Sequence, residues 1–314
     1  MALYTTDLLI LGSGPAGYTA GIYAARAGIN VMIVSGNQEG GQLTMTSAIE
    51  NFPGFEEISG FELMDKMKQQ AVKLGVQCVN DHIVEVDFAH RPFICSSENG
   101  HSYKSKAVIV ATGSSAKWLN IVSERKFLGY GVSACATCDG FFYRNRPVVI
   151  VGGGNSAAAE ALYLATLAEK VYMVHRRHQL RADKILQDRI FENRKIEMVW
   201  DSVVEEILGE DEPRKVTGIR LRNVETDEIR EIKADGVFVA VGHKPNTDIF
   251  KGNLVLDSKG YIVTHDNCSQ TDVEGVFAAG DVKDPKYKQA VISAGSGAIA
   301  AMDAIDYLDS IDKK

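Results

Sequence analysis

Two cysteines set two residues apart are the side chains best suited to chemistry in this sequence. Cys135 and Cys138 are followed directly by Asp139. In a reducing compartment, such a pair is either half of a metal site or a redox centre. A zinc site needs a second pair of ligands, and the sequence has no second C-x-x-C and no C-x-x-H. Inert core cysteines would be unusual beside an aspartate, so the pattern favours a redox disulfide with Asp139 moving a proton, and predicts no metal site.

Two stretches share one design: a buried apolar strand, a glycine-rich turn, and a helix leading to a second strand. Each predicts a right-handed βαβ unit. The first glycine permits a tight turn, the second lets a pyrophosphate approach, and the third position allows close helix packing. Because the helix N-terminus attracts phosphate, two copies indicate two dinucleotide sites. The predicted strands cover 8–11, 31–34, 148–151 and 171–174, and the candidate binding residues are Gly12, Ser13, Gly14, Pro15, Ala16, Gly17, Gly152, Gly154, Asn155 and Ser156.

Basic residues follow the second copy but not the first. His175, Arg176 and Arg177 come about twenty residues after the second set of glycines, and Arg181 lies one turn further on. An acidic residue at this place would accept the ribose 2′-hydroxyl of NAD, whereas guanidinium groups favour a 2′-phosphate. The second site is therefore predicted to bind NADPH. Ser35 occupies the comparable position of the first copy and leaves its ligand open.

Two further apolar strands end in short glycine motifs, and they bear on the first ligand. A carboxylate placed after such a strand can bind a ribityl hydroxyl. The helix predicted over 289–304 would then point its positive end at a flavin ring. In this order along the chain, the motifs suggest FAD. The residues concerned are Ala111, Thr112, Gly113, Gly280 and Asp281.

The order of the motifs predicts an α/β protein in which one Rossmann-like domain is inserted into another. The FAD-binding domain would comprise residues 1–116 and 246–314. The NADPH-binding domain, 117–245, would also carry the cysteine pair. The linkers at 113–117 and 242–246 are short, polar and contain glycine or proline, which suits a hinge.

Composition excludes several other classes of protein. The chain has 314 residues, more than one hydrophobic core usually organises. Its 41 acidic and 34 basic side chains lack the basic excess of a nucleic-acid binder. We expect no membrane-spanning segment, because no apolar run approaches the roughly 18–20 residues required. Five cysteines do not suit a secreted disulfide framework and no signal peptide is evident, so we expect a cytoplasmic protein.

Taken together, these motifs resemble those of the low-molecular-weight, bacterial-type thioredoxin reductases over essentially the whole chain. The most specific match is the cysteine motif at 134–140, and the Gly-Gly-Gln sequence at 40–42 is another. The resemblance implies electron flow from NADPH through FAD and the Cys135–Cys138 disulfide to oxidised thioredoxin. It also implies that Cys138 faces the flavin, that Cys135 exchanges with thioredoxin, and that the protein is a homodimer.

The same resemblance adds FAD-binding residues. Some would lie near the diphosphate and ribityl chain, and the last two would present their backbone to the isoalloxazine. In chain order these residues are Gly41, Gln42, Asn51, Gln289 and Ala290. Two positions depart from the family pattern: Lys288 stands where arginine is expected, and Ala159 where some members have glutamate. Neither departure removes a catalytic group.

Chain order also has a mechanistic consequence. Nicotinamide and disulfide lie on one inserted domain yet must react at one flavin, so a single rigid arrangement serves both only if they take opposite faces. The resemblance implies that this domain rotates between two states, with 114–117 and 242–246 as pivots. We therefore expect a cysteine pair replacing Ser115 and Asn246 to trap one state.

Other classes of protein fit the cysteine pair less well. Ferredoxin-linked reductases of this architecture lack the pair, and glutathione-reductase-type enzymes have a C-x-x-x-x-C motif that this sequence does not contain. The flavoprotein of peroxiredoxin-reducing systems would need a further N-terminal module. An NADPH-sensing binding protein without turnover is a separate alternative, which reduction of a dithiol acceptor would exclude.

Overall fold

The polypeptide divides into two compact units. The computed structural model describes residues 2–46, 48–265 and 268–313. Unit 1 comprises Met1–Ser115 and Lys244–Lys314, and unit 2 is the inserted segment Ala116–His243. The predicted α/β fold, with one Rossmann-like unit inserted into another, is confirmed. The assignment of one dinucleotide to each unit stays a prediction.

Both units contain helices and strands. Among the described residues they are, in chain order, β1 (Leu3–Leu11), α1 (Pro15–Arg26), β2 (Val31–Val34), α2 (Gly60–Lys73), β3 (Gln77–Val79), β4 (Ile83–Asp87), β5 (Phe93–Ser97), β6 (Ser102–Val110), β7 (Ser114–Ala116), α3 (Val122–Lys126), β8 (Val132–Ser133), α4 (Ala136–Asp139), β9 (Pro147–Val151), α5 (Asn155–Leu167), β10 (Lys170–Val174), α6 (Lys184–Glu192), β11 (Ile196–Val199), β12 (Ser202–Asp211), β13 (Arg214–Asn223), β14 (Ile229–Lys233), β15 (Gly236–Val239), β16 (His243–Pro245), β17 (Val276–Ala278) and α7 (Ala290–Asp312). Both predicted βαβ units are present, β1-α1-β2 and β9-α5-β10.

In the sheet of unit 1, strand β1, which leads into the first glycine turn, is parallel to both of its neighbours. Its strand order is β3-β2-β1-β6-β5-β4, and β17 also pairs with β6. The last four residues of β1 are buried, as expected of a strand covered on both faces. Leu11 of β1 pairs with Val34 of β2 and Val110 of β6. Val110 also pairs with Ala278 of β17, so four strands end at one edge, where their turns meet.

Unit 2 repeats this plan with fewer strands. Its parallel sheet has the order β11-β10-β9-β15-β8. Val151 of β9 pairs with Val174 of β10 and Val239 of β15, so these strands also end together. A second, antiparallel sheet, β12-β13-β14, is not predicted by any motif. Ile207 and Ile219 of that sheet pack into the core beneath the parallel one.

Hydrogen bonds hold the two linkers that connect the units, 113–117 and 242–246, in regular structure. The strands β7 and β16 pair as a two-stranded sheet. Within unit 1, Ser115 Oγ donates to Asn246 Oδ1 at 2.9 Å. Within unit 2, the Lys117 N–H donates to the Gly242 carbonyl at 2.9 Å. The predicted linkers are therefore short ordered segments.

The C-terminal helix α7 is longer than predicted. It continues past residue 304 to Asp312. By length and composition alone, Ala290–Ile311 could cross a membrane, but Asp303, Asp306 and Asp309 interrupt its apolar residues. Ala300 and Ala304 are fully buried in a core shared with β1 and α1. Packing within unit 1 therefore accounts for the apolar composition of the helix on that side.

Candidate active site

The first glycine turn joins the end of β1 to α1. A Cβ at Gly12 would lie 2.3 Å from the Ala111 oxygen, and one at Gly17 would lie 1.9 Å from the Gly12 oxygen. A Cβ at Gly14, by contrast, would meet no atom within 4 Å. Helix α1 starts here with no side-chain cap and no acidic residue in its first turn. The turn therefore offers open space and a positive helix end, which fits the phosphates of a dinucleotide.

Ser13 fixes this turn against its surroundings. Its Oγ accepts a hydrogen bond from the Gly40 N–H at 3.0 Å and donates to the Ser35 carbonyl at 3.2 Å. Gly41 lies against the turn as a result, since a Cβ there would be 3.6 Å from the Gly14 Cα. The 3₁₀ turn that Gly41 begins also carries Gln42, which is exposed.

The Ala-Thr-Gly motif leaves the same edge of the sheet. The Ala111 N–H donates to the Leu11 carbonyl at 2.8 Å. Thr112 is held by Asn246 through two hydrogen bonds of 2.8 Å, one from the Thr112 hydroxyl to the Asn246 carbonyl and one from the Asn246 amide to the Thr112 carbonyl. Gly113 follows with a left-handed φ of 67°.

Asp281 lies between β17 and α7, directly after Gly280. Its Oδ1 accepts from Ser293 Oγ at 2.9 Å and its Oδ2 from Ser114 Oγ at 3.5 Å. Burial raises the pKa of the Asp281 carboxyl, whereas the Ser293 hydrogen bond and the charge of Lys288 lower it. The carboxylate is therefore oriented by two hydroxyls and half-buried, as a ribityl-binding group would need to be.

The start of α7 gathers the remaining residues of the first predicted site. The helix begins at Ala290 without a side-chain cap, and the Asn51 amide donates to Gln289 Oε1 at 3.4 Å. Lys288, the departure from the family pattern, has a left-handed φ of 48° and places its ammonium 5.7 Å from the centre of the Tyr261 ring. The structure thus brings the predicted first-site residues to one edge of the unit 1 sheet.

The second glycine turn joins β9 to α5. A Cβ at Gly152 would lie 2.5 Å from the Ala240 oxygen, whereas one at Gly154 would meet no atom within 4 Å. Helix α5 has neither a side-chain cap nor an acidic residue in its first turn. Asn155 exchanges two hydrogen bonds with Asp183, at 2.8 and 2.7 Å. This turn therefore has the same open space and uncapped helix as the first, and it fits a second dinucleotide.

The basic residues after β10 separate into two groups. His175 is buried beneath the turn, where a Cβ at Gly153 would be 2.2 Å from its ring. Its Nε2 lies 3.1 Å from the Gln179 carbonyl, and burial lowers the pKa of the imidazole. The three arginines are exposed and line one cleft that does not include His175. They are Arg176, Arg177 and Arg181.

The same cleft contains ionisable residues that the sequence motifs do not identify. His178 lies 3.9 Å from Asp201, and their ligand atoms and those of Glu225 are within 4.8 Å of one another. His175 and His178 also have the H-x-x-H spacing of a zinc-ligand pair. The lack of a second cysteine pair therefore does not by itself exclude zinc. Because His175 is buried and hydrogen-bonded while His178 and Glu225 are exposed, we assign no metal to this group.

Cys135 and Cys138 form a disulfide at the α4 segment, with their Cα atoms 5.3 Å apart. Both residues are half-buried, and Ala136 between them is fully buried. The Cys135 N–H donates to Ser133 Oγ at 3.0 Å. The predicted disulfide is therefore present, whereas Cys78, Cys95 and Cys268 are free.

Asp139 follows the disulfide directly. Burial raises the pKa of its carboxyl, and the polar side chain of Ser133 opposes that rise. A carboxyl with a raised pKa retains a proton closer to neutral pH, which a proton donor for thiol chemistry requires. No motif or spacing identifies Ser133 in the sequence, because a single serine near a cysteine pair is not distinctive.

Comparisons with known proteins agree with this architecture. Residues 6–297 match the family model described as pyridine nucleotide-disulphide oxidoreductase. A thioredoxin reductase of Rickettsia conorii is 52% identical over 97% of this chain and 99% of its own. The solved thioredoxin reductase from Giardia duodenalis (38% identity, 98% and 99% covered) has a TM-score of 0.93, and that of Lactococcus lactis, in its FR conformation (37% identity, 97% and 99% covered), has 0.65. This chain is therefore a member of the pyridine nucleotide-disulphide oxidoreductase family and, within it, of the bacterial-type thioredoxin reductases.

Proposed function

We propose that this enzyme passes electrons from NADPH, through FAD bound to unit 1, to its own disulfide and then to oxidised thioredoxin. The observation that carries the proposal is the Cys135–Cys138 disulfide beside Asp139, in the unit that also contains the arginine cleft. When bound, FAD supplies the centre that accepts a hydride and returns two electrons. Open space at Gly14 and Gly154, each beside an uncapped helix, supports a dinucleotide at both turns.

The arginine cleft would hold the 2′-phosphate of NADPH. Arg176, Arg177 and Arg181 are exposed there, and guanidinium groups can bind a phosphate with paired, charge-assisted hydrogen bonds. In unit 1, Asp281 would accept a ribityl hydroxyl. Gln289 and Ala290 would turn the positive end of α7 toward the flavin ring.

The cysteines perform the exchange with thioredoxin. Two electrons and two protons break the sulfur–sulfur bond and leave two thiols. Cys135, as a thiolate, attacks the thioredoxin disulfide, which forms a mixed disulfide and releases one thioredoxin thiolate. Cys138, as a thiolate, then attacks Cys135, which re-forms the enzyme disulfide and releases the second thioredoxin thiolate. Asp139 adjoins Cys138 and is the group that supplies and recovers protons in these steps.

Replacement of each cysteine tests this function. Cys135→Ser and Cys138→Ser should abolish reduction of thioredoxin, measured as oxidation of NADPH in the presence of oxidised thioredoxin. Cys78→Ser is the matched control, since Cys78 is a half-buried free cysteine of unit 1, and it should retain turnover. Thioredoxin reduction by Cys138→Ser would contradict the proposal, and NADPH binding without any turnover would favour the sensor alternative.

We also propose that unit 2 changes orientation between the two half-reactions. The disulfide and the arginine cleft lie on this one unit, so the disulfide and the nicotinamide would reach the flavin in turn unless they take its opposite faces. Solved relatives of near-equal identity match the whole chain with TM-scores as different as 0.93 and 0.65. That spread supports more than one arrangement of the units within the family.

The crosslink expected to trap one orientation needs a different design. Ser115 and Asn246 are hydrogen-bonded to each other and both belong to unit 1, so a disulfide between them would not restrain unit 2. Energy transfer between probes at Val72 in unit 1 and Val122 in unit 2, both exposed, is a direct measurement. We expect its efficiency to change when NADPH is added, and an unchanged efficiency during turnover would argue against rotation.

A homodimer and a cytoplasmic location also belong to the proposal. The side of α7 that does not enter the core exposes Val291, Ile292, Ile299 and Met302, and apolar side chains of this kind are common where two chains meet. Light scattering during gel filtration should give twice the mass of one chain, and the mass of a single chain would contradict the dimer.

A further inference from the structure

The arginine cleft of unit 2 contains a histidine as well as its three arginines. His178 lines this cleft together with them, and it lies in the same loop after β10. Its side chain is 82% exposed, and its Nδ1 lies 3.9 Å from Asp201 Oδ1. The imidazole therefore lies at the surface of the cleft, where a bound anion can reach it.

Two carboxylates approach His178 from separate turns of the chain. Asp201 lies between β11 and β12, and Glu225 lies in the turn that follows β13. The Val224 N–H donates to the Asp201 carbonyl at 2.6 Å, which joins these two turns. The ligand atoms of His178, Asp201 and Glu225 all lie within 4.8 Å of one another. Both acidic side chains also line the cleft, so it holds two carboxylates close to its histidine.

These carboxylates oppose the ligand that the arginines attract. A phosphate monoester carries close to two negative charges at neutral pH, and like charges that share a site repel each other. Arginine stays protonated in proteins, and carboxyl groups ordinarily titrate near pH 4. Imidazole, by contrast, changes its charge between pH 5 and 8. Of the ionisable residues described in this cleft, only His178 is of a type that titrates in that range.

We propose that His178 is a pH-dependent determinant of 2′-phosphate recognition, which in its protonated form counters Asp201 and Glu225 and adds a positive charge beside the arginines. The inference rests on the proposed function and names a further specificity-determining residue of the same cleft. In its neutral form, His178 leaves the two carboxylates uncompensated, and the phosphate binds less tightly. The contribution of His178 to discrimination between NADPH and NADH therefore grows as the pH falls from 8 to 6.

Binding of adenosine 2′,5′-bisphosphate to the flavin-loaded enzyme tests the proposal without turnover. This probe carries the 2′-phosphate but no nicotinamide, and AMP is the comparison that lacks the 2′-phosphate. Because a phosphate monoester itself takes up a proton near pH 6, each variant is compared with the wild type at the same pH. Calorimetry at low salt, where exposed charges are least screened, gives the dissociation constants.

Two substitutions of His178 change the charge in opposite directions. His178→Gln is neutral at every pH, so its dissociation constant for the bisphosphate should be about three- to fivefold above the wild-type value at pH 6, the usual size for an exposed charge pair. At pH 8 the two proteins should bind alike. His178→Lys stays positive, so at pH 8 it should bind the bisphosphate about three- to fivefold more tightly than the wild type. A gain in affinity cannot arise from a damaged fold.

The matched control is a second histidine that pairs with a carboxylate. His82 Nδ1 lies 3.4 Å from Glu98 Oε2, in unit 1, and His82→Gln should leave binding of the bisphosphate and of AMP unchanged. Two results would overturn the inference: a ratio of His178→Gln to wild type that is the same at pH 6 and pH 8, or no gain for His178→Lys at pH 8. Wild-type enzyme that binds the bisphosphate no more tightly than AMP would instead contradict the proposed use of NADPH.

Discussion

The two glycine turns of this protein share a backbone plan but are closed by different neighbours. In unit 1, Ser13 ties the turn to Gly40 and to the end of β2. In unit 2, the Gly153 carbonyl accepts from the Arg181 N–H at 2.7 Å, and the His175 ring fills the space beneath it. The repeated strand, turn and helix can bind phosphate in either unit. The segment after the second strand differs, and the ligand that we propose differs with it.

The third position of each turn differs as well. In unit 1 a Cβ at Gly17 would lie 1.9 Å from the Gly12 oxygen. In unit 2 the equivalent residue is Ala157, whose Cβ is accommodated and fully buried. Helix α1 therefore packs against its turn more closely than α5 does. Similar motifs can thus tolerate different side chains, because the separation of helix and turn is set by the rest of each core.

The largest expected effect tests this difference in packing. Gly17→Ala should destabilise the protein by about 3 kcal/mol, the upper end of the usual range for overpacking, because the methyl group would collide with backbone. The reverse change, Ala157→Gly, should cost only about 1 kcal/mol. Urea unfolding of both variants measures the comparison. A loss of about 1 kcal/mol or less for Gly17→Ala would contradict the close packing of α1 on its turn.

A somewhat smaller effect tests the difference in ligand. Arg177→Ala should raise the KM for NADPH about ten- to a hundredfold, because a hydrogen bond to a charged group contributes roughly 1.5–3 kcal/mol. The KM for NADH, which lacks the 2′-phosphate, should change little. Arg189→Ala, which removes an exposed arginine from α6, is the control. An equal loss for both nucleotides would contradict 2′-phosphate recognition.

The smallest expected effect concerns the hydroxyl that closes the first turn. Ser13→Ala leaves the Gly40 N–H without its partner and should lower stability by about 1 kcal/mol. Part of the flavin should also dissociate during gel filtration, since the turn is no longer held against the Gly40 segment. Ser310→Ala, at an exposed serine of α7, should do neither. Full flavin retention by Ser13→Ala would contradict the inference that the Ser13 hydroxyl holds the first turn in place.

The sequence predicted the repeated elements well and the unrepeated ones poorly. Strand β2 has the predicted bounds, Val31–Val34, because a short apolar run beside a glycine motif has few alternatives. Helix α7 extends beyond the predicted end because no glycine or proline follows residue 304 and its buried face continues to Leu308. The antiparallel sheet of unit 2 carries no motif, so nothing in the pattern predicts it.

In the candidate site, too, some features follow from the sequence pattern and others do not. Disulfide chemistry follows from residue spacing, and the spacing places Cys135 and Cys138 correctly. The burial of His175 does not follow from spacing, because it depends on the absence of a side chain at Gly153, directly above the ring. Local chemistry is thus readable from sequence, whereas its alignment depends on contacts between distant residues.

The interrupted sheet of unit 1 also constrains how the polypeptide is completed during synthesis. Strand β17 and helix α7 emerge last from the ribosome, yet they pack on β6 and α1, which emerge early. The intervening unit can close its own cores on the nascent chain before they appear. A translation product that stops before Val276 would therefore carry a complete inserted unit but leave Val108, Ile109 and Val110 of β6 without their β17 partners, and we expect such a product to be recognised by chaperones and proteases.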